Sequence, residues 1–265
     1  MVLISASIKS ALPAYLYDDI SKVALHIDYI DYEHPENNIF KVVNQYSVQD
    51  IHLRRPDLLI FINGIPIGIC EFKTAIEEDT TIFEAWEQIT ICYSRDIPNL
   101  MKYCFLSIIS DGANTKMGSI FTPYEYYYSW NKANETDKVS NGISSLFTMI
   151  AGAFSKERVA AIIRDFIFYP DDSKKNEAII CRYPQFFAAN KMLANIKVHM
   201  RPQGDGKGGT YFGATGCGKT YTNRIVNRRP CKSTITGIRK TISQIFRKSI
   251  GSKYAIICFL QLCAN

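Results

Sequence analysis

At 265 residues the chain has room for one large domain or two small ones. Hydrophobic residues at 47% and charged residues at 21% exclude disorder, collagen-like repeats and coiled coil as the main state. Eight cysteines without a CxxC pair and four histidines without paired-ligand spacing exclude a disulfide framework and a zinc site. The net charge of +6 belongs to the tail: Tyr221 to Asn265 carries nine Lys and Arg and no acid, leaving 22 basic against 25 acidic residues before it. Charge alone thus gives the body of the chain no nucleic-acid footprint. The opening MVLISASIKS lacks a basic start, and no run reaches about 18 apolar residues. A soluble, cytoplasmic chain without membrane contact is expected.

In chain order, residues 12–30 carry apolar positions at mixed helical spacing, which predicts a helix, and DYEHPENN is a loop. FKVVNQYSV and the two apolar runs of DLLIFINGIPIGICEFK predict strands, with Asn63-Gly64 as the hairpin turn. Ile82, Phe83, Trp86, Ile89 and Tyr93 predict an amphipathic helix from Thr80 to Tyr93. KYCFLSIIS reads as a buried strand, and the aromatic cluster from Tyr124 to Trp130 as core and rim rather than a base-stacking platform. Helical periodicity spans 143–169 with Ser155 as an N-cap, and composition turns polar at Pro170. PQFFAANKMLANIK predicts another helix, RPQGDGKGG a loop, and Thr210 to Phe212 a short strand.

The chemistry concentrates at Asp57 and at Glu71-Phe72-Lys73. Alternate side chains of a strand share a face, so Glu71 and Lys73 point together while Phe72 is expected in the core. With Asp57 across the hairpin, two carboxylates could hold Mg²⁺ while Lys73 steadies charge developing in phosphodiester hydrolysis. Register decides the matter. A strict two-residue turn with a regular ladder pairs Asp57 with Cys70 and sets it opposite to Glu71's face. A bulge near Pro66 or Gly68, or a longer loop, restores the pairing. Gln88 on the following helix is expected to reach the site; Tyr93, five residues on and about 140° round an α-helix, is expected in the core.

Residues 213–220, GATGCGKT, complete the pattern G-x-x-x-x-G-K-[ST]. Gly213, Gly216 and Gly218 would let the backbone cradle phosphates, Lys219 would reach the β and γ groups, and Thr220 would hold Mg²⁺. The chain beyond Thr220 does not continue the pattern: YTNRIVNRRP offers only Ile225 and Val226 as a helix face, and no acid occurs after residue 220.

FKVVNQYSV, RPDLLIFINGIPIGICEFK, AWEQI, DIPNL, ISDG, RYPQFFAANK and GGTYFGATGCGKT together resemble the restriction (R) subunit of type I restriction-modification enzymes over roughly residues 38–222. The resemblance implies an α/β chain: a PD-(D/E)xK endonuclease domain over 1–170, a mixed sheet flanked by helices, then the incomplete start of a RecA-like helicase domain over 171–265. It implies that Asp57, Glu71 and Lys73 cleave double-stranded DNA with Mg²⁺, and that Gln88 belongs to the family's Q-x-x-x-Y element. It further implies that Gln185 reads the adenine of ATP, that Lys219 and Thr220 belong to the first motor motif, and that methyltransferase and specificity subunits are partners. The tyrosine here comes one residue late, and the tail from about 221 departs from the family, as an out-of-frame or degraded end would.

Overall fold

A computed structural model describes residues 29–74, 81–168, 178–214 and 216–226, and the backbone alone at 14–18, 23–27, 227–228 and 257–258. These residues divide into two compact units, 1–180 and 181–265. Most of the basic tail lies outside the described residues.

The first unit is mixed α/β. Its β-branched and aromatic runs form strands β1 (Ala14–Asp18), β2 (Val23–Ile27), β3 (Phe40–Asn44), β4 (Val48–Gln49), β5 (Leu53–Arg54), β6 (Leu58–Ile62), β7 (Ile65–Phe72), β8 (Leu106–Ser110) and β9 (Thr115–Gly118). Five of them make a sheet in the order β3-β6-β7-β8-β9, antiparallel throughout except for the parallel pair β7 and β8. A parallel pair needs a crossover. It is supplied by helices α1 (Ile82–Glu87), α2 (Ser94–Asp96) and α3 (Pro98–Met101), with one wide π-turn from Gln88 to Tyr93 between α1 and α2. Ile82, Ala85, Ile89 and Tyr93 from this crossover pack with Leu59, Ile69 and Ile109 of the sheet. That helix-covered face also carries Glu71.

The Asn63-Gly64 turn is a two-residue hairpin in which both central residues have positive φ, 50° and 82°. This geometry matches strand twist and favours Asn-Gly. Pairing begins as Ile62 with Ile65 and Phe61 with Pro66, then shifts to Ile60 with Gly68, Leu59 with Ile69 and Leu58 with Cys70. Ile67 is the extra residue of a bulge, at the place where the missing N–H of Pro66 and the small Gly68 permit one. One more step of the shifted register sets Asp57 opposite Glu71.

Several sequence expectations are corrected. Residues 12–30 contain the β1–β2 hairpin rather than a helix, with Leu16 paired to Leu25; the steps of four, three and four from Leu16 to Ile20, Val23 and Ile27 match helical period in sequence. Phe72 is 37% exposed and Glu71 only 3%, because α1 covers the face that Glu71 shares with Ile69, while the Phe72 face is open at the strand end. The segment 143–169 breaks at Phe154 into α4 (Ser145–Ala153) and α5 (Lys156–Asp165), the latter capped by the Ser155 hydroxyl, which accepts from Arg158 N. It ends in β10 (Ile167–Phe168), paired with β11 (Ile179–Ile180), which carries the first unit past Pro170 to residue 180. In the aromatic segment, Tyr127 and Trp130 are core and Tyr126 is exposed.

The second unit contains α6 (Tyr183–His199), β12 (Thr210–Tyr211), α7 (Lys219–Arg228) and β13 (Ile257–Cys258), with β12 and β13 antiparallel. Two adjacent apolar residues proved enough for α7, since Thr222 and Asn223 are buried beside Ile225 and Val226.

Candidate active site

Asp57 precedes β6 and is held at both carboxylate oxygens. Its Oδ2 accepts from Phe72 N at 2.8 Å and its Oδ1 from Gln45 Nε2 at 2.8 Å. Glu71, near the end of β7, accepts from the Tyr93 hydroxyl at 3.0 Å through Oε2, and its Oε1 lies 3.4 Å from Lys73 Nζ. Lys73 Nζ donates to Gln88 Oε1 at 2.6 Å, and Gln88 Nε2 donates to Tyr93 OH at 2.7 Å. Glu71, Lys73, Gln88 and Tyr93 thus close a ring of hydrogen bonds beside Asp57. The bulge brings Asp57, Glu71 and Lys73 to one face, and Gln88 reaches them from the crossover.

Tyr93 is a correction: it is in the ring, not merely core. Five residues separate it from Gln88, but Gln88–Tyr93 is a π-turn, whose i→i+5 pattern takes one extra residue into a single turn. The later tyrosine is carried back over Gln88. Sequence spacing read on a 3.6-residue helix could not show this.

The electrostatics are strained. Burial first, and the Asp57 charge second, push the Glu71 carboxyl above its ordinary range, with Lys73 and Tyr93 pulling only part of the way back. Burial and Glu71 push the Tyr93 phenol up, so it stays a neutral donor. A cation between the carboxylates would relieve the repulsion. Among the described residues no group of three His, Cys, Asp or Glu could hold a metal. Mg²⁺, however, binds through one or two carboxylates and keeps several waters, so this all-oxygen pair fits Mg²⁺ and not a thiolate- or imidazole-selecting metal.

Gln45 was missed, because a contact made across twelve residues leaves no periodic trace. It sits just past β3 with φ 52°, and besides its side-chain bond its N–H donates to Asp57 O at 2.9 Å. A non-glycine residue in this region persists only where its surroundings fix it. Gln45→Gly should leave the melting temperature equal or higher, since glycine tolerates the backbone at φ 52°. A lower melting temperature would show that the side-chain bond to Asp57 outweighs the backbone strain.

In the second unit, Gly216 and Gly218 have φ of 82°. A Cβ on Gly218 would meet the end of the Gln185 side chain, and it is the positive φ that favours glycine at this position. Lys219 Nζ donates to Gly213 O at 2.8 Å and Ala214 O at 2.6 Å, and Thr220 lies in the first turn of α7. Gln185 Oε1 accepts from Arg182 N at 2.8 Å, while its Nε2 is 3.4 Å from Cys217 O and 3.5 Å from Gly218 O. The structure therefore ties Gln185 to the glycine loop. The first-turn N–H groups of a helix have no intrahelical acceptor, which suits a phosphate.

Residues 5–126 match the sequence family described as Type I restriction enzyme R protein N terminus. Over 227 residues, 77% of this chain and 21% of the relative, the chain is 31% identical to a Methanocaldococcus jannaschii protein named provisionally as a type I restriction enzyme endonuclease subunit. It is 28% identical to the type I restriction enzyme HindI endonuclease subunit of Haemophilus influenzae, over 73% of this chain and 19% of that one. A similar subunit of Staphylococcus saprophyticus is 27% identical over 89% of this chain and 24% of its own length. The chain spans about a fifth of the length of the curated relatives it matches. Residues 5–126, which hold every member of the Glu71 ring, belong to the family of the type I restriction enzyme R protein N terminus.

Proposed function

We propose that the first unit is a PD-(D/E)xK endonuclease that cleaves double-stranded DNA with Mg²⁺. The observation that carries this reading is the Ile67 bulge, which turns Asp57 onto the face of Glu71 and Lys73. Asp57 and Glu71 are the metal ligands. A bound Mg²⁺ would polarise the scissile phosphate and acidify the attacking water. Lys73, oriented by Gln88 and Glu71, places a positive charge where negative charge develops on the phosphate. Tyr93 holds one Glu71 oxygen and Gln45 one Asp57 oxygen, which fixes both carboxylates before substrate arrives.

The second unit is read as the start of a RecA-like motor domain whose glycine loop, with Lys219 and Thr220, holds ATP and Mg²⁺. Gln185 reaches adenine only by leaving its present partners on the loop. In the whole enzyme cleavage would be coupled to ATP-dependent translocation, in a complex with methyltransferase and specificity subunits, the latter choosing the DNA target. Among the described residues no helix is long and apolar enough to cross a membrane.

The test is plasmid nicking by the full chain. Nicking is expected with Mg²⁺ or Mn²⁺, none in EDTA and none with Asp57→Asn. Glu71 must be ionised to bind the cation and its pKa is raised, so the rate should fall on acidification while ordinary carboxylates are still ionised. Nicking that ignores EDTA would contradict the reading.

A further inference from the structure

Beside Gln88 and Tyr93 a cleft of about 600 Å³ runs between the β5 strand and α1. That is room for one or two nucleotides of a strand, about the size of a small ligand. Its two walls differ in charge. Arg54 and Arg55 line one, Glu84 and Glu87 the other. Arg55 is exposed and makes no ion pair or hydrogen bond among the described residues. It is therefore not neutralised across the cleft by either glutamate.

Arg54 is positioned from behind. Its Nε and guanidinium NH2 group donate to Asp96 Oδ2 at 2.7 and 2.6 Å. Asp96 has no exposed side-chain surface, and Arg95 holds it too, through Nε at 2.7 Å and its NH2 group at 3.1 Å. Arg95 first and Arg54 next keep the Asp96 carboxyl far below the usual range despite burial. Of the three arginines only Arg54 and Arg55 line the cleft, and together with Arg95 they outweigh Asp96 by two positive charges. A buried carboxylate that orients an arginine at the lip of a cleft is the arrangement expected for phosphate recognition.

We propose that Arg54 and Arg55 take the backbone phosphates of the DNA strand entering the Asp57–Glu71–Lys73 site, with Asp96 as the positioning residue for Arg54. The proposal rests on the nuclease reading. Glu84 and Glu87 keep phosphates off the opposite wall, so the strand enters in one orientation.

The experiment measures binding of a fluorescein-labelled 20-base-pair duplex by the full chain carrying Lys73→Ala, in EDTA, over a range of salt. Arg55→Ala should weaken binding about fivefold or more and lower the salt slope by about 0.9, the loss of one phosphate contact. Lys207→Ala removes the same charge from an 83% exposed side chain in the second unit and should change little. Asp96→Asn adds a net positive charge, yet should weaken binding because Arg54 is released. Melting curves verify that it folds, and Arg55→Ala, at the surface, carries the test if it does not. Equal losses for Arg55→Ala and Lys207→Ala, unchanged binding by Arg55→Ala, or no binding by the parent would each overturn the wall. An Arg55 effect in a chain that never nicks DNA would instead sink the nuclease reading and leave the phosphate site standing.

Discussion

Glu71→Gln is expected to abolish nicking, by about a thousandfold or more, and to raise the melting temperature in metal-free buffer. The two effects share one cause. Glu71 is 3% exposed and faces Asp57, so its charged form is held in the folded state at a cost. Because its folded pKa is raised, the folded chain binds this proton more tightly than the unfolded chain. Stability from that proton is present at low pH, is lost as pH rises through the raised value and stays lost at neutrality. Glutamine has no charge to desolvate, and its one acceptor oxygen can still take the Tyr93 hydroxyl, giving up only the long 3.4 Å contact with Lys73, which keeps Gln88. The gain should be about 2–4 °C at pH 8, what roughly 1 kcal/mol gives in a domain of this size, and should vanish near pH 4. Mg²⁺ should raise the melting temperature of the parent at pH 8 and not that of the variant. A destabilised variant that still nicks would show that Glu71 is a structural acid.

The second large effect is a silence. The 265-residue chain is expected to release no phosphate from ATP, with or without DNA. Hydrolysis needs a metal clamp and a positioned water besides a phosphate cradle. No Asp or Glu occurs after Thr220 to complete the clamp, and Lys219 is turned onto the carbonyls of Gly213 and Ala214. Nucleotide binding should be weak. Phosphate release assays decide this, and DNA-stimulated turnover that Lys219→Ala removes would refute it.

How far the site could be read from sequence depended on where each contact came from. Asn63-Gly64, Pro66 and Gly68 are local backbone signals, so the turn and the need for a bulge were legible, and with them the meeting of Asp57, Glu71 and Lys73. Tyr93 was misplaced because a π-turn looks, in sequence, like an α-helix with one residue too many. Gln45 was invisible for a different reason: its value lies in a left-handed backbone and two bonds to Asp57, neither of which has a period. Phe72 was misread because alternation tells which residues share a face, not which face the crossover covers. The β1–β2 hairpin is hidden in the sequence because Leu16, Ile20, Val23 and Ile27 follow a 3.6-residue period, which at this length does not separate a helix from short strands.

If Asp57, Glu71 and Lys73 form one hydrolytic centre, loss of the lysine alone must silence it. Time courses of plasmid nicking in Mg²⁺ by the parent chain and by Lys73→Ala test this most directly, since Lys73 stands 3.4 Å from Glu71 and 2.6 Å from Gln88 and has no other side-chain partner among the described residues. Mg²⁺-dependent nicking by the parent and none by a folded Lys73→Ala is the expected result; equal nicking by the two would contradict it.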